Sequence, residues 1–522
     1  MKLWFVSMEC AGIVEAGGVK NVTFSLAKEF ADLNHKVTLF LPVFKCNKWD
    51  QVCDIHQCEK EAEISVCGSV QKVSYTLAKS VHGDFNIVFI NHPLFAEKED
   101  VYTYTENEQL NNPEFVKGTG HKDGLFLDIV FQKAVCAYGA IVSRHEIPDI
   151  VHCQDASTAV LPAFIKNDKK FSKTVSVVTI HNAGPFYHHQ FTSLGEAAWY
   201  TGLGTELLVS SKNGKSVEPF LIAHNCGAYL TTVSEAYAQE LIDPDNVQMT
   251  DGLSTIFAEK GIKITGIVNG FDFDRYNPSD KSVSKLPFEY NPEKGDLDGK
   301  LKCRKFFIQN IVTTDNFNTE GIKKFGKLDC SPEATKEIFI AYHGRVTTQK
   351  GISVLNESIP AIINNFPNVR FIIAGHGEHE LESKIIELTE KYSGKITFMN
   401  GYNQSVVRLV TAVSDFIVLP SFFEPCGLED YIAQAFGTVP VAHKTGGLNK
   451  IVDGKTGFLY GENDKGALIA KLSEVIMIKQ LRNGQISKMI KAGARKVRTE
   501  FYWKNIIIKK YLPFFKEILK KR

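Results

Sequence analysis

The stretch "KLWFVSMECAGIVEAGGVKNVTFSLAKEFADLNHKVTLFLPV" (residues 2–43) indicates the fold class of the chain. An apolar run at 3–8 leads through a glycine-containing loop into an amphipathic stretch at 22–34, and a second apolar run follows at 36–43. Continuous apolar strands that alternate with amphipathic helices are typical of a parallel sheet covered on both faces. The stretch therefore predicts the first strand–helix–strand unit of a doubly wound α/β fold.

The alternation continues along the chain and then restarts. Further strands are predicted in two series, at 150–155, 176–182, 229–234 and 264–270, and at 338–345, 369–377, 395–402, 415–421 and 438–443. Between the series, residues 277–335 are rich in Pro, Lys, Asp and Asn, which predicts loops around one short helix at 300–310. We therefore predict two facing Rossmann-like, doubly wound domains with a cleft between them, residues 1–265 and 266–500, followed by a C-terminal helix at 501–522.

Composition narrows the functional class. The 522 residues carry 60 Lys+Arg and 59 Asp+Glu, so a net charge of +1 gives no electrostatic reason to expect nucleic-acid or membrane binding. The 11 cysteines lack paired C-x-x-C spacing, which fits neither a disulfide framework nor a zinc site. No apolar run approaches the roughly 20 residues of a membrane span, and no signal peptide is recognisable. We expect a cytoplasmic protein without a metal.

Glycines follow the first predicted strand in "EAGGVKN" (15–21). The amides around Gly17 and Gly18 could approach a diphosphate, or the glycines could serve only a tight strand–helix turn. The pattern is neither G-x-G-x-x-G nor a P-loop, which disfavours a nicotinamide-dependent oxidoreductase.

Charged residues follow strands of the second series. "HGRVTTQKG" (343–351) carries Arg345 and Lys350, two cations able to neutralise a diphosphate without a metal, although alone they are equally typical of a solvated basic loop. Glu424 follows the apolar run 416–420. Because parallel strands end at a common edge of the sheet, we expect these three side chains to face one crevice.

Six motifs carry a resemblance to a known family: "TIHN", "TTVSEAYAQEL", "GIVNGFD", "RVTTQKG", "FFEPCGL" and "TVPVAHKTGGL". In this order and spacing the chain resembles the bacterial glycogen synthase and plant starch synthase family of retaining glycosyltransferases, essentially from end to end. The resemblance implies a GT-B fold and transfer of glucose from a nucleotide sugar, ADP-glucose, to the non-reducing end of an α-1,4-glucan such as glycogen. It implies no cofactor.

The resemblance also assigns catalytic roles. Arg345 and Lys350 would hold the distal phosphate of the donor, in place of the divalent metal of other transferase folds. Glu424 would bind hydroxyls of the transferring glucose, and His181 of the first domain would contact the sugar from the other side. No protein nucleophile is assigned, because same-face attack needs none.

Donor-binding residues follow from the same resemblance. Backbone groups beside Glu424 would contact the sugar, and Asn269 would lie near it. Tyr402 would stack on the nucleotide base. The phosphate site would be lined by Gly17, Gly18, Thr445 and Gly446. The complete predicted donor-binding set is Gly17, Gly18, Asn269, Tyr402, Cys426, Gly427, Leu428, Thr445 and Gly446.

Two further expectations concern the first domain. The C-terminal helix would pack back on it, with a membrane-surface role as the alternative. Exposed aromatic residues, among them Tyr102, Tyr104 and Tyr187, could stack on sugar rings of the acceptor, although singly each is more typical of ordinary surface or core.

Three motifs depart from the family pattern. Glu15 and Asn21 stand where Lys and Asp are usual, so that either Glu15 points away from the phosphates or the loop binds differently, with Lys20 as a hypothetical replacement charge. "HCQDAST" (152–158) and "HNAGPFYHHQF" (181–191) replace the usual residues of the sugar pocket, which Phe186, Tyr187, His188 or His189 would refill.

The third departure is Glu429-Asp430, where Thr-Gln is usual. Two added carboxylates near the nucleotide leave the choice between ADP and UDP open. Two other functions also stay open: a different nucleotide-sugar transferase of the same fold, and a non-catalytic glucan-binding homologue.

Overall fold

A computed structural model describes residues 1–313, 319–331 and 336–522. The chain divides into two compact units, Met1–Asn269 with Trp503–Arg522, and Gly270–Tyr502. Parts of the loops predicted within 277–335, at 314–318 and 332–335, lie outside the described residues.

The first unit is built on a ten-stranded sheet in the order β12-β11-β8-β7-β1-β2-β6-β5-β3, with β4 paired to β5. Its strands, and those of the small hairpin β9–β10, are β1 Lys2–Val6, β2 Lys36–Pro42, β3 Val52–Gln57, β4 Ala62–Val66, β5 Ser69–Ser80, β6 Asn86–Asn91, β7 Ile150–Gln154, β8 Val175–Ile180, β9 Lys212–Asn213, β10 Ser216–Val217, β11 Tyr229–Thr232 and β12 Ile264–Gly266. The central strands are parallel and mostly buried, and β7 is buried along its whole length, because helices cover both faces.

The helices of this unit are α1 Val19–Asp32, α2 Pro93–Ala96, α3 Glu106–Asn111, α4 Gly124–Ile141, α5 Leu161–Lys166, α6 Leu194–Thr201, α7 Thr205–Ser210, α8 Pro219–Asn225, α9 Glu235–Glu240 and α10 Leu253–Glu259. Among the described residues, α4 is the one helix long and apolar enough to span a membrane by length and composition. More than half of it is buried inside the unit, where Asp128 bonds to His189. These contacts are those of a core helix.

The second unit has a seven-stranded sheet in the order β13-β16-β15-β14-β17-β18-β19. Its strands are β13 Ile322–Phe325, β14 Ile338–His343, β15 Val369–Gly375, β16 Ile396–Gly401, β17 Phe416–Leu419, β18 Val439–His443 and β19 Phe458–Tyr460. Its helices are α11 Lys281–Ser284, α12 Asp298–Phe307, α13 Ile352–Asn365, α14 His379–Lys391, α15 Gln404–Val413, α16 Glu429–Ala435, α17 Lys465–Leu481 and α18 Asn483–Glu500. All strands except edge strand β13 pair in parallel, and apolar residues of the central strands and helices α13 and α17 form one core.

The C-terminal segment returns to the first unit. It forms α19 Trp503–Ile506, a π-helical turn Ile507–Tyr511 and α20 Leu512–Lys520. The buried ring of Phe515 stacks on Phe30 of α1, with ring centroids 5.4 Å apart. The apolar face of α20 is therefore covered by protein.

The doubly wound α/β class and the two strand series are confirmed. The first sheet is not parallel throughout, however, because β3, β4 and β5 pair antiparallel at one edge. The short helix predicted at 300–310 is confirmed as α12, continued by a π-helical turn at Ile308–Val312.

Candidate active site

In the second unit, Lys350 and Glu424 meet at the carboxyl edge of the sheet. Lys350 Nζ donates to Glu424 Oε2 at 2.5 Å, and both side chains are largely buried. Ser421 Oγ donates to the same carboxylate oxygen at 3.2 Å. The sequence prediction that these two charges lie in one place is confirmed by this ion pair.

A glycine explains why the loop of Lys350 lies against the strand end. Gly351 has φ +67°, and a Cβ there would lie 1.8 Å from the carbonyl oxygen of Pro420. Any other residue would force the loop away from the end of β17. The "KG" pair thus sets Lys350 beside the turn that carries Glu424.

Two turns of this edge are bonded to each other by a buried lysine. Lys450 Nζ donates to the carbonyl oxygens of Cys426, Gly427 (2.9 Å) and Gly447 (3.0 Å), and pairs with Asp430 Oδ1 at 2.8 Å. Gly447 allows the turns to touch, because a Cβ there would lie 2.0 Å from the Cys426 oxygen. Lys450 was not a predicted site residue.

The other predicted residues of this unit lie on the same loops. Gly427 and Gly446 have positive φ values of 72° and 42°, and Thr445 Oγ1 donates to Phe422 O at 3.2 Å. Leu428 is half-buried and its amide donates to Glu429. Tyr402 follows β16 and is 64% exposed.

Arg345 is more exposed than Lys350. Its Nη2 donates to Gln349 Oε1 at 3.4 Å, and its carbonyl oxygen accepts from Tyr342 OH at 2.6 Å. Within the described residues, the guanidinium forms no ion pair with a carboxylate. The structure thus brings Lys350 to Glu424 and, among the described residues, pairs Arg345 with no carboxylate.

Carboxylates surround Lys350. Burial acts to lower the pKa of this lysine, but Glu424 and Glu429 outweigh it and hold the pKa above its ordinary value. Burial acts to raise the pKa of Glu429, yet Lys350 and His343 lower it to about 2. Both groups are therefore charged at neutral pH.

In the first unit, His181 follows β8 and is buried. Its Nε2 bonds to Gln154 Oε1 at 2.8 Å, and its amide donates to Asp155 Oδ1 at 3.3 Å. Burial lowers the pKa of His181 to about 3, so the imidazole is neutral at physiological pH. It can exchange hydrogen bonds but carries no charge.

Two buried carboxyl groups at this edge were missed by sequence reasoning. Burial raises the pKa of both Glu9 and Asp155 to about 7. Tyr102 OH donates to Glu9 at 3.4 Å, and the amide of Gly17 also bonds to this carboxylate. Each acid lies just beyond the end of a strand, Glu9 after β1 and Asp155 after β7. This position could have indicated from the sequence that both acids lie at the carboxyl edge of the sheet.

The first glycine loop has its own ion pair. Lys20 Nζ pairs with Glu15 Oε2 at 2.8 Å, and the Gly12 amide donates to Glu15 Oε1 at 2.7 Å. Lys20 thus compensates Glu15 rather than adding a net charge for a phosphate. Gly17 and Gly18 are exposed, and Asn269 is buried at the end of this unit.

The prediction that Tyr104 is an exposed aromatic residue is wrong. Tyr104 is only 3% exposed, because its ring stacks on Phe115 at 4.3 Å. His188 and His189 bond to Glu218 and Asp128 at 2.7 and 2.6 Å, and His189 also interacts electrostatically with Asp155.

Of the residues proposed to refill the sugar pocket or to stack on sugars, Phe186 is 94% exposed, whereas Tyr102 and Tyr187 are half-buried. Over 1–313, 319–331 and 336–522 there is no cluster of three or more His, Cys, Asp or Glu side chains arranged to hold a metal ion.

Comparison with known proteins extends these observations. Residues 2–259 match the family model described as starch synthase catalytic domain, and residues 329–494 match glycosyl transferases group 1. The chain is 29% identical to a glycogen synthase of Thermodesulfovibrio yellowstonii, covering 100% of this chain and 99% of that protein. It is 27% identical to a glycogen synthase of Hydrogenovibrio crunogenus, over 99% of this chain and 100% of that one.

Among solved structures, the chain is similar to the catalytic domain of starch synthase IV from Arabidopsis thaliana bound to ADP and acarbose. The TM-score is 0.79 at 20% identity, with 99% of both chains covered. This similarity supports the GT-B fold, and the two doubly wound units together with the two family models define a GT-B glycosyltransferase. Within that class, the chain belongs to the glycogen synthase and starch synthase family, as a hexosyltransferase.

Proposed function

We propose that the protein elongates glycogen, transferring glucose from ADP-glucose to the non-reducing end of an α-1,4-glucan with retention of configuration. The observation that supports it most is the Lys350–Glu424 ion pair at 2.5 Å, in a chain matched along its full length by glycogen synthases. The ion pair places a cation that can bind the donor's phosphate next to a carboxylate that can bind the hydroxyls of the glucose.

Lys350 and Arg345 hold the distal phosphate of the donor in this proposal. An ammonium has three N–H donors, so Lys350 can keep Glu424 and still bond to a phosphate oxygen. Positive charge fixed beside the leaving group stabilises the nucleoside diphosphate as the C1–O bond breaks, without solvent reorganisation. No metal is required, and activity in excess EDTA tests this point.

Glu424 binds hydroxyls of the transferring glucose. Its carboxylate is already oriented by Lys350 and Ser421, so little ordering is left to occur on binding. The negative charge also favours the positive charge that develops on the sugar in an oxocarbenium-like transition state.

Retention follows from attack on the face that the leaving group occupies. The bond from C1 to the phosphate oxygen breaks, the bond from C1 to O4 of the acceptor forms, and the O4 proton passes to the released phosphate oxygen. His181, neutral at physiological pH, contributes a hydrogen bond to the glucose and not an acid.

Incorporation of radiolabelled glucose into glycogen, from ADP-glucose and in parallel from UDP-glucose, tests the proposal. We expect incorporation from ADP-glucose and its loss in Glu424→Ala, while Glu387→Gln, an exposed carboxylate on α14, keeps the wild-type rate. Faster incorporation from UDP-glucose would contradict the choice of donor. Failure with both donors would contradict the synthase activity and favour a non-catalytic glucan-binding homologue.

The remaining parts of the proposal concern partners and location. We infer that the protein acts in the cytoplasm on glycogen, without nucleic-acid or membrane partners, because a net charge of +1 suits an uncharged polymer. Fractionation of cells, with the protein followed by immunoblot in the glycogen pellet, tests this inference.

A further inference from the structure

Glu429 introduces a negative charge where the proposed function requires positive charge. Its Oε2 accepts from the Leu428 amide at 3.1 Å, which holds the carboxylate beside the turn that carries Glu424. Glu429 interacts electrostatically with Lys350, the proposed phosphate ligand. A second carboxylate therefore acts on a lysine already paired with Glu424.

The charges at this edge cancel. Arg345 and Lys350 are cations, and Glu424 and Glu429 are anions, so the four together carry no net charge. Just behind them, Lys450 pairs with Asp430 and leaves the balance unchanged. A leaving nucleoside diphosphate carries at least two negative charges, so it meets a neutral group of residues rather than a positive one.

A buried histidine provides an independent observation at the same place. His343, the last residue of β14, is 5% exposed, and its Nε2 has no hydrogen-bond partner among the residues that the structure describes. It interacts electrostatically with Glu429 and Lys350. A buried polar atom without a partner is uncommon in folded proteins, and a bound ligand is one group that would satisfy it.

We propose that Glu429 competes with the donor's diphosphate for Lys350 and thereby keeps the affinity for the nucleotide sugar low. This inference rests on the proposed function, because it takes the ligand of Lys350 to be a nucleoside diphosphate. When the donor binds, a phosphate oxygen accepts a hydrogen bond from the Lys350 ammonium against the repulsion of Glu429, and the unpartnered Nε2 of buried His343 is a candidate to bond to the ligand.

The competition has a direct consequence for the reaction rate. Repulsion between Glu429 and the diphosphate opposes donor binding and equally favours product release. The KM for the donor is then high, so the rate follows the donor concentration instead of saturating. The nucleoside diphosphate is correspondingly a weak product inhibitor.

The test compares Glu429→Gln with the wild-type chain. Calorimetric titration with ADP and UDP alone gives affinities without an acceptor, and initial rates at saturating glycogen give KM and kcat for the donor. We expect Glu429→Gln to bind ADP about tenfold tighter and to lower the donor KM by a similar factor, with kcat changed less than about threefold.

Two further variants make the result specific. Glu429→Thr also removes the charge and should tighten ADP binding in the same way, so the test survives if one variant is unstable. Glu387→Gln removes one exposed carboxylate of the same unit and should leave the affinity unchanged. Thermal melting of each variant confirms that the chain is folded.

The outcomes separate the two proposals. Unchanged or weaker ADP binding by both neutral variants, in a chain that transfers glucose, would overturn the role of Glu429 alone. Tighter binding without transfer from either donor would support the role of Glu429 and overturn the proposed function. No nucleotide binding by any variant would overturn both.

Discussion

At the scale of single residues, burial sets the charge of the carboxyl groups at the edge of the first sheet. Glu9 and Asp155 are both shielded from water, and the positive charge of Lys20 only partly opposes the effect on Glu9. Both carboxyl groups therefore titrate near neutral pH, whereas surface carboxylates do not.

We predict a pH-dependent stability from Glu9. Its pKa is 4.5 in a model peptide and about 7 here, so the protonated form stabilises the fold; the contribution is complete below about pH 4.5 and is lost as the pH rises through about 7. A shift of this size is on the order of 3 kcal/mol. The Tm should fall between about pH 4.5 and 7 in the wild type, where the folded state keeps a proton that the unfolded state has lost, and fall less in Glu9→Gln.

The control for this prediction is Glu59→Gln, which replaces an exposed carboxylate in the same unit. It should show the wild-type decline of Tm with pH. If Glu9→Gln showed that same decline, Glu9 would not titrate in this range.

Sequence reasoning located the charged residues of the second unit better than the buried ones of the first. Lys350 and Glu424 follow apolar strands of one parallel sheet, and that rule alone brings them together. The bonding of Lys450 to three carbonyl oxygens could not be read from the sequence, since a lysine pattern does not distinguish a buried side chain from a solvated one. Tyr104 was misassigned for the same reason.

At the scale of elements, the site of the second unit depends on two turns that one side chain joins. Lys450 neutralises Asp430, which is buried completely, and satisfies carbonyl oxygens of both turns. Burial raises the pKa of Asp430 to about 6 even with the lysine beside it. Removal of the ammonium would leave a buried carboxyl group without its partner.

We predict that Lys450→Met lowers the free energy of unfolding by about 3 kcal/mol, because breaking a buried ion pair leaves an uncompensated charge. Misalignment of the turns should also raise the donor KM. Urea unfolding and initial rates measure the two effects. Lys384→Ala, which removes an exposed lysine on α14, serves as the control and should change neither.

The strand pattern also shows where sequence reasoning fails at this scale. β7 and β15 are continuous buried apolar runs and were predicted, but β6, a buried run of the same kind, was not. β3 lies at the edge of the sheet with five of its six residues exposed, so its sequence carries no such run and it was missed. The antiparallel pairing of β3, β4 and β5 at this edge was therefore not predicted either.

At the scale of the whole molecule, the first unit is made of two separate parts of the chain. Trp503–Arg522 joins Met1–Asn269, and the stacked rings of Phe515 and Phe30 belong to that junction. Phe515 is fully buried, so the segment contributes to the core of the unit.

We predict that Phe515→Ala destabilises the first unit by about 3 kcal/mol, through lost apolar burial and the cavity that is left. Differential scanning calorimetry should show a lower transition temperature for this unit, with the transition of the second unit unchanged. Lys516→Ala, at an exposed neighbouring position, should have no effect. Equal shifts of both transitions would indicate that the units do not unfold separately.

The division of the first unit between the two ends of the chain also bears on its synthesis. Domains generally fold as the nascent chain leaves the ribosome, N-terminal part first. Here Phe30 and the rest of α1 emerge long before α20, so their apolar surface stays uncovered until the 233 residues of Gly270–Tyr502 have been translated. During that interval the nascent chain exposes the apolar face of α1, and chaperones can bind to this face.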